Sequence, residues 1–345
     1  MIYKSRDIEK IPNTSYKVLD YFNQYFNFSI QKSDIKFIDN SMIDLNKLSF
    51  VINLYRVNDI RYINKYFEKI NSKLSKGNVF ICCVETFNAR KRKKIIYNIF
   101  FLGFIYQVLE FIFLRIIPKI KILKYFYFLI TNGKNRILSK TETLGRLVSC
   151  GFEIIDYKSI GGILYIVSKK KSEPKFDMNP SYGLIYKMPR VGKNKKIIYV
   201  YKIRTMHPYS EYIQEYILKK NGTTNGDKII NDFRISKIGK FFRKYWIDEL
   251  PMLINLFNGD LKLIGVRPLS KVKFIMYPKE AQNLRTRYKP GLIPPFYADL
   301  PKNFDELVES ELNYLKHYSK SPTFTDIKYF FMAFKNVLFK GARSK

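Results

Sequence analysis

Residues 246–268 read WIDELPMLINLFNGDLKLIGVRP, and this stretch decides the reading of the chain. Leu250, Leu253, Ile254 and Phe257 recur at helical spacing, and Asn258-Gly259 supplies a C-terminal stop. Asp248 therefore falls where a helix N-cap belongs, with Pro251 tolerated in the first turn. Taken alone, an Asp beside a Glu at a helix start is ordinarily a cap. A helix N-terminus also offers unpaired N–H groups and a positive dipole end, which keep a carboxylate ionised and attract phosphate oxygens. Two adjacent carboxylates, Asp248 and Glu249, could then divide the work. One would attack phosphorus while the other holds a divalent cation.

The flanking sequence is basic. Lys202 and Arg204 lie in YKIRTM; Arg234, Lys237, Lys240, Arg243 and Lys244 precede the pair; Arg267 follows in GVRP. Arginines suit bidentate contacts to phosphate, and cations must stand close if a carboxylate is to approach a diphosphate. Many charge runs are only solvated faces, and several of these lysines fit that description.

The whole chain carries the same bias. Its 345 residues hold 62 Lys and Arg against 29 Asp and Glu, a formal net charge of +33, which favours polyanions: nucleic acid, anionic lipid or phosphorylated substrates. A hydrophobic fraction of 46% is enough for a sizeable core. Cys82, Cys83 and Cys150 show no paired spacing, and the start MIYKSRDIEK has no apolar signal segment; together they suggest a reducing, cytoplasmic setting. With histidine only at positions 207 and 317, a histidine-rich metal site is excluded.

The polar, Pro174-containing seam KKKSEPKFDM (169–178) divides the chain into an α/β N-terminal domain, 1–170, a linker, 171–178, and an α+β domain, 179–345. In the first, Asp59–Ser75 has helical spacing, Val79–Val84 suits a buried strand, and Phe152–Asp156 with Ile163–Ser168 resemble a closing strand pair. Between them, residues 95–130 are strongly apolar, follow Lys91–Lys94 and break at Pro118. Asn98, Gln107 and Glu110 argue against a simple spanning helix. Two readings stand: a buried pair of core helices, or a helix–break–helix dipping into one leaflet. In the second domain, Tyr182–Met188 and Lys196–Ile203 flank a turn at Gly192-Lys193-Asn194. Helices follow over Tyr209–Lys220, near Lys237–Lys244 and after Asp248, with Asn221–Asp227 turn-rich. The last helix, Asp326–Phe339, carries the apolar stripe Ile327, Phe330, Phe331, Phe334, Val337 and Leu338 with lysines beside it; packing on the core is expected, and an anionic membrane is the alternative.

KIRTM, DFRISKIGKFFRK, IDELPMLINLFNGDLKLIGVRP and YKPGL, in this order, resemble the bacterial sugar transferases, the monotopic polyprenyl-phosphate phosphoglycosyl transferases that start capsule, O-antigen and glycoprotein glycans. The resemblance covers 179–345. It implies that an Asp attacks the β-phosphate of a nucleotide diphosphate sugar, usually a UDP-sugar, and that polyprenyl phosphate resolves the phosphosugar–enzyme ester. Asp248 matches the nucleophile and Glu249 the Mg²⁺-binding partner, with both carboxylates at the metal. Arg243 and Arg267 match phosphate- or nucleotide-contacting arginines, Lys202 and Arg204 belong to the K-x-R-T-M strand end, and Asp326 matches a late acidic residue of the site. The resemblance also implies the cytoplasmic face of the bacterial inner membrane, with monotopic or peripheral attachment to an anionic surface.

Met252 stands where Gln is usual after DELP, Val266 where Pro precedes the arginine, and LIPPFY (292–297) replaces a Gly- and Thr-rich stretch. The family's re-entrant helix is missing from its usual place, which KKKSEPKFDM occupies; residues 95–130 could substitute. KYFEKINSKLSKGNVFI and LVSCGFEIIDYKSIGGILYIVSKK resemble the C-terminal half of a class I methyltransferase, a degenerate one, since no G-x-G-x-G loop precedes them. Methyl transfer by this domain, or nucleic-acid binding through the net charge, are the competing functions. The absence of any nucleic-acid-binding motif disfavours the latter.

Overall fold

A computed structural model describes residues 15–26, 48–120, 122–176, 183–222 and 229–340. The chain forms two compact units: one runs to Tyr182 and takes in Met206–Gly222 and Asn231–Arg234, and the other holds Gly183–Thr205, Thr223–Ile230 and Ile235–Lys345. The polypeptide thus passes between units several times rather than once at the linker.

The first unit is built on a four-stranded mixed sheet of order β1-β2-β4-β3. Its strands are β1 (Leu48–Arg56), β2 (Leu74–Val84), β3 (Phe152–Ile160) and β4 (Ile163–Lys170). β1 and β2 run parallel, joined through α2 (Ile63–Lys73), and β4 pairs antiparallel with both β2 and β3. α2 is shorter than the periodicity of Asp59–Ser75 suggests, because Leu74 and Ser75 already belong to β2. On one face α1 (Ser15–Asn23) lays Val18, Tyr21 and Phe22 against Ile52, Ile81, Tyr165 and Val167. On the other, Phe67, Phe80 and Phe152 make a chain of ring contacts under α2 and α6 (Lys140–Ser149), a helix capped by Ser139. All three cysteines are buried free thiols, and burial pushes the Cys83 and Cys150 thiols up to about 12. The helix expected over Tyr209–Lys220 is α7, Gln214–Asn221; Tyr209 has φ 60° and cannot lie within one. Most of the turn-rich Asn221–Asp227 lies outside the described residues.

Residues 95–130 do not form a buried pair of core helices. α3 (Phe87–Lys93) leads through a 3₁₀ turn into α4 (Phe100–Phe111), then a π turn and a second 3₁₀ turn holding Pro118, then α5 (Leu123–Thr131). Their large apolar side chains are predominantly exposed. Among the described residues no helix is long and apolar enough to cross a membrane.

The second unit opens with a hairpin, β5 (Ile185–Val191) and β6 (Ile197–Ile203), closed at Gly192–Lys196 with Asn194 left-handed. α8 (Lys237–Lys244) is capped by Ser236, whose Oγ accepts from Gly239 N at 2.9 Å. α9 (Met252–Phe257) follows, then the short parallel pair β7 (Lys262–Ile264) and β8 (Gly291–Ile293), with α10 (Lys271–Met276) and α11 (Lys279–Arg287) between them. Gly265 and Gly291 are required where β7 and β8 meet: a Cβ on Gly291 would lie 2.1 Å from Gly265 N. The core gathers Ile264, Val266, Tyr314 and Leu315 with residues of α12 (Phe296–Asp299), α13 (Phe304–Lys320) and α14 (Pro322–Phe339). Asn336 on α14 donates to the Tyr297 and Ala298 carbonyls and ties α14 to α12. The stripe read on α14 splits: Phe330 and Val337 pack on the core with Tyr329 and Ala333, while Ile327, Phe331, Phe334 and Leu338 are exposed.

Candidate active site

Asp248 and Glu249 sit in a single 3₁₀ turn, Ile247–Glu249, and not at a helix cap. α9 is only six residues long, begins at Met252 after Pro251, and receives no side-chain cap. The turn is instead set by Trp246, whose backbone is left-handed at φ 54°. Its ring stands edge-on to Tyr297 and its Nε1 donates to the Tyr297 hydroxyl at 3.2 Å. A bulky residue held at positive φ is costly, and its packing is what makes this conformation persist.

Asp248 is 8% exposed, and burial pushes its carboxyl above the usual range. Glu249 pushes in the same direction, while Lys202 and Arg243 oppose it. The expectation of a helix end beside Asp248 is therefore corrected: burial raises its carboxyl pKa, and the neighbouring cations restrain that rise. Lys202 Nζ donates to Glu249 Oε1, and Arg267 Nη2 lies 3.8 Å from the same oxygen. Burial, with Arg267 nearby, lowers the Lys202 pKa despite its carboxylate partner. Arg243 Nε donates to Thr205 Oγ1 at 2.9 Å, at the end of the strand that carries Lys202. Gly239 allows α8 to approach this point, since a Cβ there would lie 2.0 Å from the Thr205 carbonyl.

A cavity opens beside the turn, lined by Arg190, Lys202, Glu249 and Arg267 with Met188, Met252, Leu292 and Tyr297. Three cations thus line it against one carboxylate. Arg190 was not among the residues singled out by motif. Its guanidinium donates to the Pro189 carbonyl at 2.9 Å and contacts Met188 Sδ, but it has no carboxylate partner among the described residues. Burial and Arg267 lower its pKa. The antiparallel register would have found it: Tyr186 pairs with Lys202, Met188 with Val200 and Arg190 with Ile198, so alternation puts Arg190 and Lys202 on one face. Asn255, fully buried, is the second residue missed. It accepts from Tyr201 N at 3.0 Å and donates to the Tyr199 carbonyl at 2.7 Å, locking α9 to β6 beside Lys202. A lone Asn in MLINLF is its only signal in the sequence.

Two predicted site residues are placed differently. Arg204 Nε donates to the Gly183 carbonyl at 3.1 Å and its guanidinium covers the Tyr186 ring, outside the cavity lining. Asp326 accepts from Lys262 Nζ at 3.0 and 3.1 Å and from the Tyr314 hydroxyl at 2.7 Å. Tyr314 also reaches the Ile264 carbonyl, so Asp326 braces β7 and contacts none of the other predicted site residues among those described.

For a divalent cation the donors are few. Among the described residues no three acidic, His or Cys side chains gather as a metal site. Mg²⁺ needs only one or two carboxylates when substrate phosphates and water complete its shell. Glu249 meets Lys202 and Arg267 through Oε1, and no hydrogen bond or ion pair engages its Oε2 among the described residues. Asp248 and Glu249 are the carboxylates that would hold such a cation, with Glu249 in the cavity lining.

Residues 175–340 match the family model for bacterial sugar transferases. The chain is 36% identical over 158 residues to a galactosyl transferase, CpsE, of Streptococcus agalactiae, covering 45% of this chain and 34% of the relative. It is 37% identical over 90 residues to the undecaprenyl-phosphate galactose phosphotransferase of Salmonella typhimurium, covering 25% and 19%. Against the UDP-glucose:undecaprenyl-phosphate glucose-1-phosphate transferase of Escherichia coli it is 28% identical over 176 residues, covering 47% and 33%. The chain thus spans about a third or less of the length of these relatives. Residues 175–340, which hold the Asp248–Glu249 turn and the cationic cavity beside it, thus carry the chain's match to the bacterial sugar transferase family.

Proposed function

We propose that this protein transfers a phosphosugar from a nucleotide diphosphate sugar, a UDP-sugar, to polyprenyl phosphate at the cytoplasmic face of the bacterial inner membrane, initiating a surface glycan. The observation that carries the reading is a buried carboxylate, Asp248, on a turn whose neighbour lines a cavity with three cationic side chains. The names of the relatives, transferases of galactose or glucose 1-phosphate with undecaprenyl phosphate, support the substrate class.

In the first step an Asp248 oxygen attacks the β-phosphorus. A P–O bond forms, the bond from that phosphorus to the bridging oxygen breaks, and nucleoside monophosphate leaves with the electron pair. In the second step a phosphate oxygen of polyprenyl phosphate attacks the same phosphorus and the aspartyl–phosphorus bond breaks, regenerating the carboxylate. No net proton is taken up, so the site's task is to neutralise anionic oxygens. Arg190, Lys202 and Arg267 are the groups on the cavity wall suited to it. Arg243 favours the ionised Asp248 and sits at the same strand end. Glu249, with Asp248, would hold Mg²⁺, which supplies further charge neutralisation on the diphosphate when bound. Arg204 and Asp326 are assigned to supporting the strand end and β7 rather than to contact with the reacting phosphorus.

The test is release of nucleoside monophosphate when membrane-extracted protein receives a panel of nucleotide sugars with polyprenyl phosphate. Release from one donor class, absent in Asp248→Asn, is expected. A panel with no release, from protein verified as folded, would overturn the reading.

A further inference from the structure

The segment between β2 and α6 is amphipathic in the inverse sense. A helix on a water-soluble protein turns its apolar stripe inward and its polar face outward. α4 does the opposite. Gln107 Oε1 accepts from Lys91 Nζ at 2.9 Å. Glu110, 8% exposed, accepts from Lys94 Nζ at 2.9 Å and from the Tyr97 hydroxyl, with Arg90 Nη1 3.9 Å away. Lys94 also donates to the Tyr106 hydroxyl at 2.6 Å. Gly103 lets this polar seam close, since a Cβ there would lie 2.7 Å from the Tyr97 carbonyl. The outward face is Phe101, Leu102, Phe104, Ile105, Val108 and Leu109, with Phe104 66% exposed. α5 also exposes an apolar face: Tyr125, Phe126, Leu129 and Ile130 face outward, while Tyr127 is buried with its ring edge-on to Phe113.

On α4 the apolar exposure is therefore produced by specific inward hydrogen bonds and ion pairs rather than left over. An exposed apolar face of this kind marks a surface that is covered in use. Charge identifies what covers it. From Thr86 to Arg136 the chain holds 11 Lys and Arg and one acidic residue, Glu110, which is satisfied internally. Arg92 and Lys93 are exposed at the start of the face, and Lys124 stands half-exposed at its middle. Aromatic and aliphatic side chains rimmed by cations match an anionic bilayer interface, where rings and alkyl groups enter the acyl boundary and lysines meet headgroup phosphates. α4, at 12 residues, is about 18 Å long and is too short to span. Docking flat in one leaflet is the geometry that accommodates it.

We infer that α4 and α5 form an in-plane docking surface for an anionic lipid bilayer, held polar-side-in by the Lys94–Glu110–Tyr97 and Lys91–Gln107 contacts. The inference rests on the first unit alone and does not depend on the proposed transferase activity.

The test uses the full chain and no nucleotide sugar. Phe104→Cys is labelled with an environment-sensitive dye, the three native cysteines being buried. Vesicles are phosphatidylcholine alone or with phosphatidylglycerol. A blue shift with the anionic vesicles, quenched by acyl-chain spin labels and weaker with phosphatidylcholine alone, is expected. In flotation, Phe101→Ser/Phe104→Ser/Leu109→Ser/Phe126→Ser should lower the vesicle partition coefficient by at least about tenfold, with circular dichroism unchanged because the replaced side chains are exposed. Unchanged partition of the quadruple variant would overturn the inference. So would a blue shift without vesicles that grows with protein concentration, which would assign the face to a second copy of the chain. A protein that floats yet releases no nucleoside monophosphate would leave this inference standing and remove the proposed activity.

Discussion

Arg190→Gln separates function from stability at one position. In the structure Arg190 is a partly buried guanidinium that lines the cavity, faces the field of Arg267, and has no carboxylate partner among the described residues. A cation so placed is a burden on the folded state, because burial removes its hydration and a second cation repels it. Gln keeps most of the stem and removes the charge, so thermal stability is expected to stay level or rise. Activity should move the other way. A charge-assisted hydrogen bond to a phosphate oxygen contributes about 1.5–3 kcal/mol, equivalent to roughly a 10- to 150-fold loss in kcat/KM for the nucleotide sugar. The assay pairs initial rates of nucleoside monophosphate release with calorimetric Tm on the same preparations. A fall in Tm with kcat/KM within twofold of the parent, about the scatter of such measurements, would refute the reasoning and make Arg190 a structural residue.

Three further outcomes follow from the same geometry. The raised carboxyl of Asp248 sets the acid limb of the kcat/KM profile above the ordinary 3.8, and the lowered Lys202 pKa sets the alkaline limb below 10.5; limbs at the unperturbed values would contradict the assignments. Because the folded-state pKa of Asp248 is raised, stability falls as pH rises from the unfolded value of 3.8 through the folded value and stays lower above it, while both states are protonated in acid; Asp248→Asn should therefore raise Tm near neutrality, with the gain fading in acid. Gly291→Ala would press a methyl 2.1 Å from the Gly265 nitrogen, backbone against backbone, and should cost about 1–3 kcal/mol or more in urea unfolding.

The sequence made the C-terminal motif legible because its parts are local: the carboxylate pair, the glycines and the basic strand end are short strings whose chemistry survives without a fold. The hairpin around Gly192-Lys193-Asn194 and the strands Val79–Val84 and Ile163–Ser168 were readable for the same reason. Helical periodicity misplaced Asp248, because the run Leu250–Phe257 conceals a break: Trp246 at positive φ starts a separate 3₁₀ turn, and that conformation depends on Tyr297, 51 residues away. Arg190 required the strand register, which joins residues across a turn and is not visible in a motif. Asp326 was drawn into the site by position in the family pattern, yet Lys262 and Tyr314 hold it against β7. Residues 95–130 were ambiguous because apolar spacing alone does not say which side faces out; only the pairing of Glu110 with Lys94 reveals it.

The central claim is that Asp248 carries the phosphosugar. Intact-mass spectrometry of the full chain incubated with its nucleotide diphosphate sugar, without polyprenyl phosphate, tests it most directly. The account predicts a mass gain of one phosphosugar that maps by peptide to Asp248, is lost when polyprenyl phosphate is added, and is absent from Asp248→Asn. The same adduct on Asp248→Asn, or turnover by the parent protein with no adduct at any time, would contradict it.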